Sequence, residues 1–149
     1  MSAALHLAKP EHLDTVLALV AAFHAESGLE SSDAHRRAGI DPLLNGHPYG
    51  AVYLIGPTRA PIGYIVITFG WSVEFGGMDG FVDELYIRPA VRGRGIATEV
   101  LTELPKSLAA AGVRALHLEV DRENETAQRL YLRTRFQPRR NCILMTKTL

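Results

Sequence analysis

The apolar positions along the chain change period repeatedly, and each change marks an element. Leu13, Val16, Leu17, Val20 and Phe23 recur at three- and four-residue spacing, which predicts an amphipathic helix with Pro10 in its first turn. Leu5–Leu7 precedes it as a short strand. Ser31–Leu44 follows as a less regular helical region, loosened by Gly39 and Pro42. "AVYLIG" and "PIGYIVITFG" are β-branched and aromatic runs around "PTRA", a hairpin signal. After the turn-rich "WSVEFGGMDG", Phe81–Ile87 reads as a further strand, which Pro89 stops. Ile96–Ala111 returns to helical spacing, and Gly112 suits the position just past its end. Pro105 lies inside that helix and predicts a kink or break, because its ring removes one backbone bond and crowds the Leu101 carbonyl. Ala115–Val120 alternates as a strand. Asn124–Thr134 is an amphipathic helix with Ala127, Leu130 and Tyr131 on one side, and Ile143–Thr148 is a closing strand. The order β-α-α-β-β-β-α-β-α-β predicts a mixed α/β (α+β) sheet in one domain over residues 1–149.

Composition narrows the function classes only a little. Sixteen basic residues balance sixteen acidic ones in 149, so no bulk field draws the chain to nucleic acid or to an anionic membrane. The apolar run Val16–Phe23 follows Glu11 and Asp14, lacks a basic flank and is too short to cross a bilayer. One cysteine, Cys142, allows no intrachain disulfide and fits a reducing compartment. A cytoplasmic protein is the expectation. Six scattered histidines show no metal-ligand spacing, and no metal site is predicted.

The chemistry concentrates in "VRGRGIATEVL", Val91–Leu101. Two glycines at a helix entrance let the backbone approach an anion without a Cβ in the way, and the exposed N–H groups of a helix start attract negative charge. Arg92 and Arg94 add positive charge. A Walker loop would need Lys-Ser or Lys-Thr after its last glycine, where Ile96-Ala97 stands. A dinucleotide fold would carry the glycines after its first strand, not after the third or fourth.

Arg92-x-x-Gly95-x-Ala97, with "DELYIRP" upstream and "NETAQRLYLRTRF" downstream, resembles the GCN5-related N-acetyltransferase (GNAT) family, whose signature is Arg/Gln-x-x-Gly-x-Gly/Ala. The strongest part of the likeness covers about half the chain, and the N-terminal half has the family's strand–helix–helix–hairpin order. One departure is Arg135 before Phe136, where the family usually has glycine. The resemblance implies a mainly antiparallel sheet with helices on both faces and an acetyl-CoA cleft where the fourth and fifth strands splay. Its pyrophosphate would rest on the backbone of Arg92, Gly93, Arg94, Gly95, Ile96 and Ala97. Its pantetheine arm would pair with Leu85, Tyr86 and Ile87, where an N–H of Leu85 or Tyr86 would polarise the thioester. Asn124 and Ala127 stand beside the same arm in this likeness, although Asn124 is also a natural helix cap.

Two side chains are candidates for acid–base work. An attacking amine must lose a proton, and Glu84 on its strand is a candidate base; an ion pair with Arg88 or another cation is the competing role. A β-bulge would exchange the faces of Asp83 and Glu84. Tyr131, on the helix the family places beside the CoA sulfur, is the candidate acid for the departing thiolate. Trp71, Glu74, Phe75 and Asp79 border the expected acceptor entrance and favour a cation. His117, between leucines, reads as a packed histidine with a satisfied partner. The expected activity is acetyl transfer from acetyl-CoA to a primary amine, on a small cationic molecule. A protein lysine or N-terminus is the alternative acceptor, and an acyl-CoA-binding sensor without chemistry is the alternative class. The family often dimerises, and a homodimer is compatible with the sequence.

Overall fold

The computed structural model describes residues 4–149. It comprises two compact units, the first ending at Glu119 and the second being Val120–Leu149. In the first, β1 (Leu5–Leu7), β2 (Gly50–Ile55), β3 (Gly63–Ser72), β4 (Gly77–Ile87) and β5 (Ala115–His117) lie side by side in that order. β1 to β4 pair antiparallel, whereas β5 runs parallel to β4. A parallel pair needs a crossover, and α3 (Ile96–Ala110) supplies it. α1 (Leu13–Glu26) and α2 (Asp33–Leu44) link β1 to β2.

Alternation sorts the sheet into two faces. Val16, Leu19 and Val20 of α1 and Ile40 and Leu44 of α2 share one buried cluster with Val52, Leu54, Tyr64, Val66 and Tyr86. Ile55, Ile65, Ile67 and Val82 are also buried but belong to the opposite face. α3 buries Ile96, Val100, Leu101, Leu104 and Leu108, a stripe at helical spacing. The register between β3 and β4 slips once: Val66 faces Glu84 while Ile67 faces Val82, so Asp83 is an extra residue. Glu84 therefore shares the α1/α2 face with Tyr86, and Val82 does not.

Local chemistry sets most helix ends. Ser32 caps α2 by accepting from the His35 N–H at 3.1 Å. Gly112, at φ 102°, ends the turn after α3, where the Val113 N–H returns to the Leu108 carbonyl. The helix does not break at Pro105. Leu101 and Leu104 on one side and Leu108 beyond it keep the buried stripe continuous, and that packing outweighs one missing backbone bond.

The strands differ from expectation at their ends. β3 runs two residues past its apolar run and β4 starts four residues before its own, so Trp71 and Asp79 are strand residues and only residues 73–76 form the turn. Cross-strand pairing overrides the weak strand propensity of Gly77 and Gly80. β5 stops at His117 instead of Val120, where its pairing to β4 ends.

The second unit contains α4 (Glu125–Arg133), capped by Asn124, whose Oδ1 accepts from the Ala127 N–H at 3.0 Å. The expected strand Ile143–Thr148 does not form, for want of a paired ladder, and Ile143, Leu144 and Met145 are exposed. Arg135 is the positive-φ non-glycine residue among the described residues, at 75°. An arginine Cβ is crowded there as a glycine is not. Arg135→Gly is accordingly expected to raise stability by about 0.5–1 kcal/mol despite the added freedom of the unfolded chain, measured as a rightward shift of the urea midpoint.

Candidate active site

Among the described residues, β4 has no strand partner on its outer edge beyond Phe81. Its pairing with β5 runs Asp79–Ala115, Gly80–Leu116 and Phe81–His117 and then stops. The Arg88 N–H donates to the Ile62 carbonyl, toward β3. Peptide groups alternate sides along a strand, so Tyr86 also points toward β3, and Leu85 and Ile87 point outward. The Ile87 carbonyl confirms the direction, since it accepts from Arg92 Nε at 2.8 Å.

A glycine cradle closes the end of that edge. After a single 3-10 turn at Pro89–Val91, Gly93 and Gly95 take φ values of 78° and 77°, and Gly95 is the N-cap of α3. A Cβ built on either would meet nothing within 4 Å, so the concave side is open. The first helical bond runs from the Glu99 N–H to the Gly95 carbonyl. The N–H groups of Gly95, Ile96 and Ala97 thus precede the ladder and face out of the helix end. Arg92 is tied down: its Nη2 donates to Glu26 at 2.7 Å, and its guanidinium lies 5.6 Å from the Tyr86 ring centroid. The Arg92 hydrogen bond holds the Glu26 carboxyl below its ordinary range.

Glu84 sits at the centre of a polar network under α1. The Tyr64 hydroxyl donates to its Oε1 at 2.8 Å, and His24 Nε2 lies 2.6 Å from its Oε2. His24 Nδ1 is 2.8 Å from Ser31 Oγ, to which Arg36 Nη1 donates at 2.9 Å. Tyr64 is fully buried; that burial, then the Glu84 charge, pushes its phenol well above the usual tyrosine range and keeps it a donor. Asp83, the bulged residue, is exposed, yet its carboxyl is also pushed up, by partial desolvation and by the charges of Glu84 and Glu119. On the same sheet face, Thr68, Gly70, Asp79, Phe81 and His117 line a shallow hollow of about 220 Å³. His117 Nε2 is 3.2 Å from Asp79 Oδ2, and its ring lies 5.6 Å from that of Phe75.

With this geometry in place, comparison with known proteins is decisive. The sequence model of the acetyltransferase (GNAT) family matches residues 4–136. The chain belongs to the GNAT acetyltransferase family. An acetyltransferase of Pectobacterium atrosepticum is 34% identical over 77 residues, 50% of this chain and 54% of that one, so the match spans about half of the relative. Among solved structures, an integron cassette protein from a salt-marsh metagenome is similar at TM-score 0.84 and 28% identity, over 97% of this chain and 90% of that one. The aminoglycoside acetyltransferase AAC(6')-Iy, solved with a CoA-linked bisubstrate analogue, shares the fold at TM-score 0.78 and 16% identity, over 100% of both chains. Among the described residues, no helix is long and apolar enough to cross a membrane.

Against the GNAT pattern, the first unit assembles most of the residues singled out in the sequence. Leu85 and Ile87 direct their peptide groups outward, whereas those of Tyr86 face β3, which leaves Leu85 and not Tyr86 with an outward N–H, and Arg92 to Ala97 lead into α3 through the glycine turn. Glu84 pairs with a histidine, not with Arg88, whose Nε donates to the Pro61 carbonyl. Trp71, at 76% exposure, and Glu74 and Phe75 lie at the hairpin tip, while Asp79 is held by His117. In the second unit, Asn124 acts as the helix cap, and the Tyr131 ring meets Phe136 edge-on at 5.9 Å. Partial burial pushes the Tyr131 phenol up. The sequence reading missed His24, Ser31 and Tyr64. A signal existed: His24 continues the four-residue spacing of Val16 and Val20, a polar residue on a buried stripe.

Removing the Tyr64 hydroxyl takes away one of the two donors on the Glu84 carboxylate. Tyr64→Phe is expected to cost about 2 kcal/mol, read as the loss in urea-unfolding free energy.

Proposed function

We propose that this GNAT protein transfers an acetyl group from acetyl-CoA to a primary amine, and that the acceptor is a small cationic molecule. The observation that carries the reading is the glycine cradle at the start of α3, continuous with the outward edge of β4. The cradle fits a pyrophosphate: two positive-φ glycines leave its concave side open, and helix-start N–H groups supply donors without a side chain in the way. The CoA-linked analogue in AAC(6')-Iy supports the same donor. The outward N–H and C=O groups of Leu85 and Ile87 suit an amide-bearing arm laid along the strand.

In the proposed reaction the amine nitrogen bonds to the acetyl carbon, the C–S bond breaks, and the amine's proton leaves. Glu84 takes that proton, directly or through one water, and its contacts with Tyr64 and His24 fix its orientation. The Leu85 N–H points outward, where it stabilises the developing oxyanion. Tyr131 returns a proton to the leaving thiolate, since its phenol carries a proton at neutral pH. The carboxylates of Glu84, Asp83 and Asp79 on β4, with the exposed Trp71 and Phe75 rings, favour an ammonium acceptor. The aminoglycoside acceptors named for AAC(6')-Iy are of this kind.

Steady-state kinetics over polyamines, aminoglycosides, amino acids and lysine peptides, following thiol release, test the reading. A small polycation should give the highest kcat/KM; thiol release with no acceptor at all would overturn the assignment. Glu84→Gln is expected to lower kcat about 100-fold. Tyr131→Phe is expected to lower kcat with the KM for acetyl-CoA unchanged. Gly95→Ala adds a methyl on the open side at φ 77°. It should weaken CoA binding about tenfold or more in calorimetry while costing about 1 kcal/mol in strain.

A further inference from the structure

His24 is a buried histidine on α1 in contact with the residue proposed as base, and nothing in the family pattern of the sequence assigns it. The hydrogen-bond directions around it are determined by chemistry. Arg36 has only donors, so Ser31 Oγ accepts from it, and the Ser31 proton is free to go to His24 Nδ1. An ionised Glu84 only accepts, so the proton of a neutral imidazole sits on Nε2 and donates to Oε2 at 2.6 Å. Tyr64 donates to the other oxygen. Two donors thus hold the carboxylate, one on each oxygen.

We propose that His24 is a positioning residue for Glu84, and that the charge on its imidazole sets whether Glu84 acts as a base. The inference rests on the reading of Glu84 as the base. In the neutral state His24 orients the carboxylate and leaves it able to take the amine's proton. On protonation Nδ1 gains a proton, the Ser31 hydroxyl must turn away, and the imidazolium pairs with Glu84 at the same short contact. A carboxylate facing a full positive charge is a weaker base, so turnover falls. The other groups facing this pair act on the same balance: Asp83 on β4 opposes the imidazolium's effect on Glu84, Tyr64 on β3 donates to Glu84, and Arg36 reaches Ser31 from α2.

The test compares His24→Gln, which keeps an N–H donor but cannot ionise, with His24→Leu, which has neither property. Thiol release with the best acceptor of the amine panel is followed over about pH 5.5 to 9. The expected result at high pH is His24→Gln within about threefold of wild type and His24→Leu at least tenfold lower, with unchanged KM for acetyl-CoA. As pH falls, the ratio of His24→Gln to wild type should rise, because only the wild type gains the imidazolium. Nitrogen-15 spectra of the wild-type ring give a readout independent of turnover and of any variant's folding: a protonated Nε2 and bare Nδ1 at high pH are expected. The opposite tautomer overturns the proposal, as does a His24→Gln profile that superimposes on wild type. Glu84→Gln separates the two readings. If it is impaired while both His24 variants match wild type, His24 alone is misassigned; if it has full turnover, the base assignment beneath it fails.

Discussion

One extra residue in β4 governs the site. Without the bulge at Asp83 the strand would alternate regularly from Val82 to Ile87, and Glu84 would share the face of Val82. The bulge turns Glu84 to the side where α1 supplies His24 and β3 supplies Tyr64. It leaves Leu85 and Ile87 with peptide groups directed to the unpaired edge. A single irregularity thus gives one strand two functions: a carboxylate on one face, and main-chain donors and acceptors along its margin.

The early end of β5 is the second half of the same arrangement. Pairing ceases at Phe81–His117, just before the bulge, so the margin of β4 opens where the irregularity begins. The chain then leaves β4 through Arg88 and a 3-10 turn and enters α3 through two left-handed glycines. Strand edge and helix start are separated by only eight residues, Arg88 to Gly95, so the same short connection brings strand donors and helix donors to one side of the sheet.

Much of this was legible in the sequence because it depends on local rules. Helix periodicity, the Asn124 cap, the Gly112 terminus and the Gly93–Gly95 entrance each follow from a residue's own backbone preference. What was not legible depends on partners far away in the chain. Asp83 gives no local sign of being a bulge; only its register against Val66 and Ile67 reveals it. His24 meets Glu84 sixty positions away. The hairpin of β3 and β4 extends through glycines that disfavour strands, because each arm completes the other's ladder. The apolar run Ile143–Thr148 shows the converse: strand-like composition without a ladder leaves coil.

The tethering of Arg92 has a consequence for how an anion would be held. A guanidinium on a mobile side chain contributes attraction but must be ordered each time a ligand arrives. Here Nε is anchored to the Ile87 carbonyl and the outer nitrogen to Glu26, so the turn leading into the glycines is braced before anything binds. The ordering entropy is then part of the folding free energy, not of the binding free energy. Attraction at such a turn would come from fixed main-chain dipoles and from the exposed Arg94, with the Arg92 charge largely offset by Glu26. Such a site selects by shape and peptide geometry, and its grip should depend on ionic strength less than that of a cluster of free cations.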